Sequence, residues 1–373
     1  MKDSRIEQLA RNVVAYSVSL QKGEKLLIEV EGHDNVLAQA IVREAYRAEA
    51  YPFVVFTDQS ILRTQLMHSS LEQLERLAAY DFVRMDDMDA YVLIRANENG
   101  SELSDIAPEK LDQYWKVYYH HVHEPRWAKT KWCILSYPSA AAAQLAKMPT
   151  EAFEDLYFNV CNLDYSHLSQ QMDALVSLLS RTDKVRITGN GTDLTMSIKG
   201  MPVRKDAGLQ NLPDGEVYSV PIKHSINGCI SFNTPVHFRG TLFDDIVLTF
   251  EHGQIIDATA NDTAKLLEIL EVDEGARYIG EFGIGLNPYI EKPVGDILFD
   301  EKIWGSIHLA IGSAAVQADN SNLSSIHWDI VCNQREEYGG GQLWFDDVLI
   351  RENGYFVIAE LETLNPEKIR GFN

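Results

Sequence analysis

Hydrophobic residues in the first half of the chain follow two alternating spacings. Segments such as SRIEQLARNVVAYSVSL, at 4–20, and NVLAQAIVREAYRAEA, at 35–50, repeat apolar positions every three or four residues, which predicts helices. Short apolar runs such as KLLIEVEG, at 25–32, and AYVLIRANE, at 90–98, predict strands. The alternation continues to KWCILSYPS, at 131–139, and favours a parallel sheet covered by helices on both faces.

The pattern changes after residue 183. KVRITGNGTDLTMSIKG, at 184–200, predicts a hairpin with its turn at 189–191, and further short strands follow it. We therefore predict an α/β fold class with two domains. An N-terminal α/β domain with a parallel sheet covers 1–183, and a β-rich α+β domain covers 184–373.

The charge of the chain is strongly acidic. It has 33 Lys and Arg against 55 Asp and Glu, a formal net charge of −22. This sign disfavours polyanionic partners, so we expect neither nucleic acid nor a membrane surface as a partner. The charged N-terminal segment lacks the apolar core of a signal peptide, and no run of 18 apolar residues occurs. We therefore predict a cytoplasmic location.

Several common sites are not indicated. The four cysteines lie far apart without a C-x-x-C pair, which indicates buried free thiols rather than a disulfide framework or a zinc ribbon. Gly-rich phosphate-binding motifs and G-x-S-x-G are absent from the sequence. His120, His121 and His123 cluster in one predicted helix. We interpret them as solvated or stacking side chains, with metal binding as the alternative.

The stretch SSIHWDI, at 324–330, combines an imidazole and a carboxylate in a strand-like run. Residues two apart in a strand point to one face and lie about 7 Å apart, so His327 and Asp329 could converge on one cation. Trp328 and its apolar neighbours would point to the opposite face. Burying Asp329 without a partner would cost several kcal/mol, so a cation, an arginine or hydrogen-bond donors must compensate its charge.

Three other stretches of the second half carry similar chemistry. Glu216 follows a P-D-G turn in NLPDGEVYSVP, Glu281 lies between small residues in GEFGIGLNP, and His308 is in the apolar strand GSIHLAIG. Taken singly, none of them indicates a site, because a strand-opening glutamate is usually solvated, Glu281 could partner a backbone turn, and a lone histidine in an apolar strand is more often a core residue. Imidazole and carboxylate together suit Zn²⁺, Mn²⁺, Fe²⁺ or Co²⁺.

These stretches resemble a known family. Four of them, in chain order, look like those of the aminopeptidase T type of metallopeptidases, family M29: NLPDGEVY, GEFGIGLNP, GSIHLAIG and IHWDIV. Further segments are also similar to the family: RWAKTKWCILSYPSAAAAQLAKM, FEDLYFNVCNLDY and the tail EYGGGQLWFDDVLIRENGYF. The resemblance covers most of the chain, and the motifs are specific as a set rather than singly.

The resemblance implies a metallo-aminopeptidase that hydrolyses the N-terminal residue of a peptide with a water activated by two metals. It implies two divalent ions per chain (zinc, cobalt, manganese or magnesium) in the C-terminal domain, and a homodimer that encloses the sites. Carried over residue by residue, the metal ligands would be Glu216, Glu281, His308, His327 and Asp329. Glu281 would also be catalytic, as the bridge between the metals or as a base beside them.

One position departs from the family pattern. Many members have a tyrosine seven residues after the first metal-binding histidine, and here that position is Ala315. Tyr338 or Tyr289 would be the substitutes, and Glu301 is a further candidate ligand. The departure leaves open a metal-binding homologue with impaired catalysis.

A third function also stays open. His308, His327 and Asp329 form the two-histidine, one-carboxylate set that holds a single Fe²⁺ in ring-cleaving dioxygenases of the related dihydroxypyridine type. Glu216 and Glu281 favour the hydrolase, because a two-metal site needs both and a single-iron site does not.

Overall fold

The computed structural model describes residues 3–33, 35–315 and 317–371. Its strands are β1 Lys25–Gly32, β2 Tyr51–Thr57, β3 Ala90–Ala96, β4 Lys131–Ser136, β5 Lys184–Gly189, β6 Thr192–Ser197, β7 Arg204–Asp206, β8 Asn211–Leu212, β9 Glu216–Ser219, β10 Asn227–Ser231, β11 Val236–Phe238, β12 Thr241–Phe243, β13 Val247–Glu251, β14 Gln254–Thr259, β15 Ile279–Gly285, β16 Ser306–Gly312, β17 His327–Asn333, β18 Gly341–Phe345, β19 Val348–Glu352 and β20 Tyr355–Phe356.

The helices come mainly from the first half of the chain. They are α1 Ser4–Asn12, α2 Val36–Arg47, α3 Gln59–His68, α4 Leu71–Asp86, α5 Pro108–Gln113, α6 His120–Ala128, α7 Ala140–Leu145, α8 Thr150–Cys161, α9 Tyr165–Arg181, α10 Thr263–Leu270, α11 Ile297–Asp300 and α12 Pro366–Arg370. Wider π-type turns cover Val13–Ser17 and Tyr114–Tyr119, and 3₁₀ turns cover Glu274–Arg277, Glu336–Tyr338 and Ala359–Leu364. Within the described residues, no helix has the length and apolar character needed to cross a membrane.

The chain divides into two compact units, Met1–Asn162 with Gly208–Pro213, and Leu163–Ala207 with Asp214–Asn373. This division differs in two ways from the predicted boundary after residue 183. Helix α9 belongs to the second unit, where it packs on β7 and β9. Residues 208–213 return to the first unit because β8 extends its sheet beside β4.

The first unit is built on a parallel sheet with the strand order β2-β1-β3-β4-β8. Leu26, Ile28 and Val30 alternate along β1 and are completely buried on one face. Three of the helices in this unit, α3, α4 and α7, begin at side-chain caps. Asp58, for example, accepts hydrogen bonds from the backbone N–H groups of the first turn of α3, which would otherwise lack partners. The predicted parallel-sheet α/β region is confirmed.

The second unit is rich in antiparallel strands, as predicted. One sheet has the order β14-β13-β10-β6-β5-β18-β19-β20, and a second has the order β17-β16-β15-β9-β7. The apolar face of the second sheet includes Phe282, Leu309 and Trp328, all buried. The ring of Trp328 stacks on Phe238 at a centroid distance of 4.5 Å. Trp328 therefore points to the apolar face, opposite His327 and Asp329, as predicted.

The four cysteines form no disulfide, as the sequence predicted. Cys133, Cys161 and Cys332 are buried, and Cys229 is partly buried. Burial raises the pKa of the Cys161 thiol well above its usual value, and it raises that of Cys332 to about 12. These two thiols are therefore protonated and unreactive at neutral pH.

Candidate metal centre

The five predicted ligands lie in the β17-β16-β15-β9-β7 sheet of the second unit. Glu216 begins β9, Glu281 lies in β15 and His308 in β16. His327 and Asp329 lie in β17. Segments far apart in the sequence are thus brought together by strand pairing.

The register of the strands explains why these side chains share a face. Ala310 pairs with Glu281 on one side and with Asp329 on the other, so the two carboxylates lie in one row across the sheet. Gly283 pairs with His308 in the next row. Paired residues of antiparallel strands point to the same side, as do residues two apart in one strand. Both rows therefore face the same space.

His308 is completely buried, and its hydrogen bonds fix its tautomer. Nδ1 lies 3.1 Å from the backbone oxygen of Glu301, which can only accept, so Nδ1–H donates to it. Nε2 lies 3.1 Å from Oε2 of Glu216 and 3.3 Å from Oε1 of Glu281. In the neutral ring, Nε2 presents a lone pair to the space between the carboxylates. This is the usual arrangement of a metal-ligating histidine.

His327 repeats this arrangement at the other end of the cluster. Its Nδ1–H donates to the backbone oxygen of Ser313 at 2.7 Å, and its Nε2 lies 3.4 Å from Oδ2 of Asp329. The His327 side chain is 39% exposed, whereas His308 is inaccessible. The cluster therefore opens to solvent beside His327.

Gly283 makes room for the His308 ring. A Cβ atom at this position would lie 2.1 Å from both Cε1 and Nε2 of His308. That separation is far below van der Waals contact, so the ring occupies space that only a glycine leaves free. The glycine of the GEFGIG stretch thus sets the height of the imidazole above the sheet.

Lys302 is a buried cation that the sequence analysis did not single out. Its side chain is 1% exposed, its Nζ lies 3.1 Å from Oε1 of Glu216, and it also forms an ion pair with Glu301. Burial would raise the pKa of Glu216, but Lys302 and His308 outweigh that effect and lower it. Burial disfavours the ammonium as well, yet Glu216 and Glu301 hold the pKa of Lys302 well above its usual value.

Three other carboxyl groups of the cluster have raised pKa values, because they are buried close to other carboxylates. Burial raises the pKa of Glu281, with Asp329 and Glu216 adding to the effect and His308 opposing it. Burial likewise raises the pKa of Glu301 to about 8 and that of Asp206 to about 7. More acids meet here than the basic side chains neutralise, and a further cation would allow them to ionise.

For the two histidines, burial and the neighbouring carboxylates shift the pKa in opposite directions. Burial alone would lower the pKa of His308, but Glu216 and Glu281 raise it well above its usual value. Burial would also lower the pKa of His327, and Asp329 raises it to about 10. In return, His327 outweighs the effect of burial on Asp329 and holds the pKa of that carboxyl well below its usual range.

The donor set fits divalent metal ions. Two groups of side chains bring their ligand atoms within 4.8 Å of one another. The first group is Glu216, Glu281 and His308, and the second is Glu301, His308 and Asp329. The two groups share His308 and are therefore adjacent, while His327 joins them through Asp329. Oδ1 of Asp329 is buried and has no hydrogen-bond partner among the described residues. Mixed nitrogen and oxygen donors with an orphaned buried carboxylate oxygen suit Zn²⁺, Co²⁺ or Mn²⁺.

A third acidic group adjoins the first. Asp206 and Asp214 meet Glu216 within the same 4.8 Å limit. Asp206 lies in β7 directly opposite Glu216 in the strand register. Sequence reasoning missed Asp206 because the short strand RKD has no distinctive pattern, and only the pairing of β7 with β9 places it at the cluster.

The position of the missing tyrosine is also in this unit. Ala315 packs against a small apolar cluster that contains Tyr218. Tyr338 and Tyr289, the substitutes that the sequence suggested, each lie against an arginine side chain. Tyr218 instead pairs with Gly283, the glycine beneath the His308 ring, and so shares the face of the predicted ligands. Glu216 and Glu281 are among the groups that raise the pKa of its phenol, after burial itself.

The histidine cluster of the first unit forms no comparable centre. His121 stacks on Phe82 with ring centroids 4.7 Å apart, and His123 packs against Tyr119 at 4.4 Å. His120 lies against a tryptophan. No metal-competent group among residues 3–33, 35–315 and 317–371 includes these three histidines. The stacking interpretation is therefore the one that the structure favours.

Comparison with known proteins agrees with this architecture. The structure of wild-type AmpT from Thermus thermophilus superposes with a TM-score of 0.81 over 95% of this chain and 99% of that chain, at 21% identity. That likeness shows a common fold.

Sequence comparison extends the likeness to named enzymes. Aminopeptidase PepS from Streptococcus thermophilus is 26% identical, with 89% of this chain and 92% of PepS covered. Aminopeptidase T from Thermus thermophilus is also 26% identical, with 83% and 84% covered. Aminopeptidase AmpS from Bacillus subtilis is 24% identical with the same coverage. Relatives of this kind support a peptidase and do not favour the dioxygenase alternative.

A sequence profile spanning nearly the whole chain leads to the same group. The profile described as thermophilic metalloprotease (M29) matches residues 2–356. That match includes all five predicted ligands and both units. Membership implies the use of divalent metal. The chain therefore belongs to the M29 family of metalloproteases.

Proposed function

We propose that this protein is an aminopeptidase that removes N-terminal residues from peptides with two divalent metal ions per chain. The observation that carries the proposal is the matched orientation of His308 and His327. Each donates Nδ1–H to a backbone oxygen and turns Nε2 toward carboxylates. Two such rings at adjacent groups of carboxylates support two ions rather than one.

We assign the ligands by position in the cluster. Glu216 and His308 would hold one ion, and His327 and Asp329 the other. Glu281, which shares the row of Asp329 and lies 3.3 Å from Nε2 of His308, would contact both. When bound, the metals would polarise the peptide carbonyl and activate a water. Lys302 would keep Glu216 ionised and fixed in place.

Glu281 is proposed as the residue that transfers the proton. In the metal-free protein, burial raises the pKa of its carboxyl. With metal bound, a carboxylate oxygen that no ion occupies could exchange a proton with the attacking water. It would accept a proton from the attacking water and return it to the amine of the leaving peptide. Its side chain faces the cluster beside Nε2 of His308.

Tyr218 is proposed to supply the phenol that position 315 lacks. Burial raises the pKa of this phenol, so its hydroxyl stays protonated and can donate a hydrogen bond to negative charge on the reacting oxygen. In the structure the hydroxyl donates to Oε1 of Gln317, two residues after Ala315, at 3.1 Å. The homodimer, the cytoplasmic location and the identity of the metals stay predictions.

The first prediction concerns metal content and activity together. The purified protein, reconstituted with Zn²⁺, Co²⁺ or Mn²⁺, should contain about two ions per chain by elemental analysis and release the N-terminal residue of short peptides. Glu216→Ala should lose metal and at least about a hundredfold in kcat/KM, because a direct ligand matters more than its supporting groups. Glu251→Ala, at an exposed position of β13, is the matched control.

Two results would contradict this prediction. Full metal occupancy with no amino acid released from a broad panel of peptides would show a homologue with impaired catalysis. Equal activity of Glu216→Ala and the parent protein would remove Glu216 from the centre.

The second prediction concerns the glycine beneath His308. Gly283→Ala should weaken metal binding by about 10–100-fold, because the new methyl group displaces the ring while leaving every ligand in the sequence. Metal affinity is measured by competition with a chromophoric chelator. Gly100→Ala, where a Cβ meets nothing within 4 Å, is the control. Unchanged affinity of Gly283→Ala would show that His308 does not bind metal through Nε2.

The third prediction concerns protons. Because the carboxylates raise the pKa values of His308 and His327, both rings in the metal-free protein hold a second proton to higher pH than an isolated imidazole does, and metal must displace those protons. Binding should therefore release at least about one proton per chain, and the apparent affinity should rise with pH. Calorimetric titration in two buffers of different ionisation enthalpy measures the release. Proton uptake on binding would contradict the assignment.

The fourth prediction separates the tyrosines. Tyr218→Phe should lower kcat by about 10–1,000-fold with little change in metal content, since it removes one donor to the transition state. Tyr338→Phe should leave kcat within about twofold. The opposite ranking of the two variants would show that Tyr338 is the substitute for the residue missing at position 315.

A further inference from the structure

The first unit contains a cavity of about 580 Å³ that the proposed peptidase chemistry does not use. Its volume falls within the range of about 300–1,000 Å³ that is typical of small-molecule sites. Strands β1 and β3 contribute its floor, and α3, α4 and the turn at Tyr114–Tyr119 contribute its walls. Phe56, Ile61 and Tyr80 are exposed lining residues, so the cavity opens to solvent beside them.

The floor of the cavity carries a carboxylate where the strand pattern would favour an apolar residue. Leu27, Glu29 and Glu31 alternate along β1 and all line the cavity, whereas their neighbours on the other face are buried and apolar. Oε2 of Glu29 accepts a hydrogen bond from the hydroxyl of Tyr91 at 2.8 Å. Burial raises the pKa of Glu29, which means that its ionised form lacks sufficient compensation from its neighbours.

The charged lining has an excess of acid. The acidic lining residues are Glu29, Glu31, Asp58 and Asp81, and the arginines are Arg76 and Arg84. Arg84 forms an ion pair with Asp81 at 2.6 Å, and Arg76 forms one with Glu72, outside the lining. The buried Arg126 is a further positive charge, over the rings of Tyr91 and Tyr119 and outside the lining. With both lining arginines engaged, the excess of acid in the lining still suits the cavity to a cation.

The uncharged lining favours an organic cation over a metal ion. Five tyrosines line the cavity: Tyr80, Tyr91, Tyr114, Tyr118 and Tyr119. Aromatic faces attract ammonium groups and also pack against apolar bodies. His123, another lining residue, is 5% exposed, and its Nδ1 has no hydrogen-bond partner in the described part of the chain. A buried polar atom of this kind is satisfied when a ligand supplies the missing partner.

We propose that this cavity binds a small organic amine. The ammonium group lies beside Glu29, and an aromatic or branched apolar body lies among the tyrosines. A polar substituent on that body reaches Nδ1 of His123. The site is separate in composition from the candidate metal centre, since the two share no residue.

The test compares three probes of the same shape and different charge by calorimetry at about pH 7.5: phenethylamine, 2-phenylethanol and 3-phenylpropionate. The amine should bind at least about tenfold more tightly than either of the others. Glu29→Gln should weaken amine binding by about 10–100-fold, because a charge-assisted hydrogen bond is replaced by a neutral one. It should leave binding of 2-phenylethanol unchanged. Glu75→Gln, on the exposed side of α4 and outside the lining, is the matched control.

Two further variants keep the test decisive. Leu62→Trp, which fills the cavity from its wall, should abolish binding of the amine and of the alcohol alike. Glu216→Ala should leave amine binding unchanged, because the amine would bind in the first unit. Loss of amine binding in Glu216→Ala would place the amine at the metal centre and overturn the proposal.

Other outcomes would also overturn it. Equal affinity for the amine and the alcohol would show that Glu29 does not select a cation. Absence of amine binding, together with a second copy covering Phe56 and Tyr80 in solution, would show that the cavity is part of a protein interface instead.

Discussion

The second unit depends on positive charges that compensate its buried carboxylates. Glu216, Glu281 and Asp329 project from one face of a sheet, with Glu301 and Asp206 beside them. Ionised carboxylates in such a setting are strongly destabilising unless cations meet them. Lys302 and two histidines supply part of the compensation. The raised pKa values of Glu281 and Glu301 show where compensation is incomplete, and a metal centre is the simplest answer to that imbalance.

The backbone orients both histidines as the proposed metal ligation requires. Nδ1–H of each ring is held by a carbonyl oxygen, so no side-chain partner is needed to set the tautomer. The glycine at position 283 fixes the height of one ring, and the strand register fixes its row. Orientation of this kind is achieved before any ion binds, which reduces the reorganisation that binding requires.

Part of this arrangement could be predicted from the sequence. The spacing of His327 and Asp329 places them on one face because strand side chains alternate, and the apolar burial of Trp328 follows from the same rule. Glu216, Glu281 and His308 could be connected to that pair only through family resemblance. Their convergence depends on pairings between strands far apart in the sequence, which periodicity does not reveal. Asp206 and Tyr218, in β7 and β9, were missed for that reason, and Lys302 lies in the turn after α11, where no strand pattern marks it.

The fold could likewise be predicted only in part from the sequence. Apolar spacing predicted the parallel sheet and the β-rich second half. It did not predict that residues 208–213 return to the first sheet, because β8 is only two residues long and is defined by its pairing with β4. The charged face that β1 turns to the cavity was not predicted either. The sequence KLLIEVEG is typical of an ordinary buried strand, and only the packing around β1 shows that Glu29 and Glu31 line a cavity.

The most direct test of the central claim is anomalous X-ray diffraction from crystals of the zinc-loaded protein, recorded on both sides of the zinc absorption edge. The account predicts two anomalous peaks per chain, one next to Nε2 of His308 and Glu216, the other next to Nε2 of His327 and Asp329. Both peaks should lie within bonding distance of Glu281 oxygens, at about 2.0–2.2 Å. A single peak, or peaks away from both imidazoles, would contradict it.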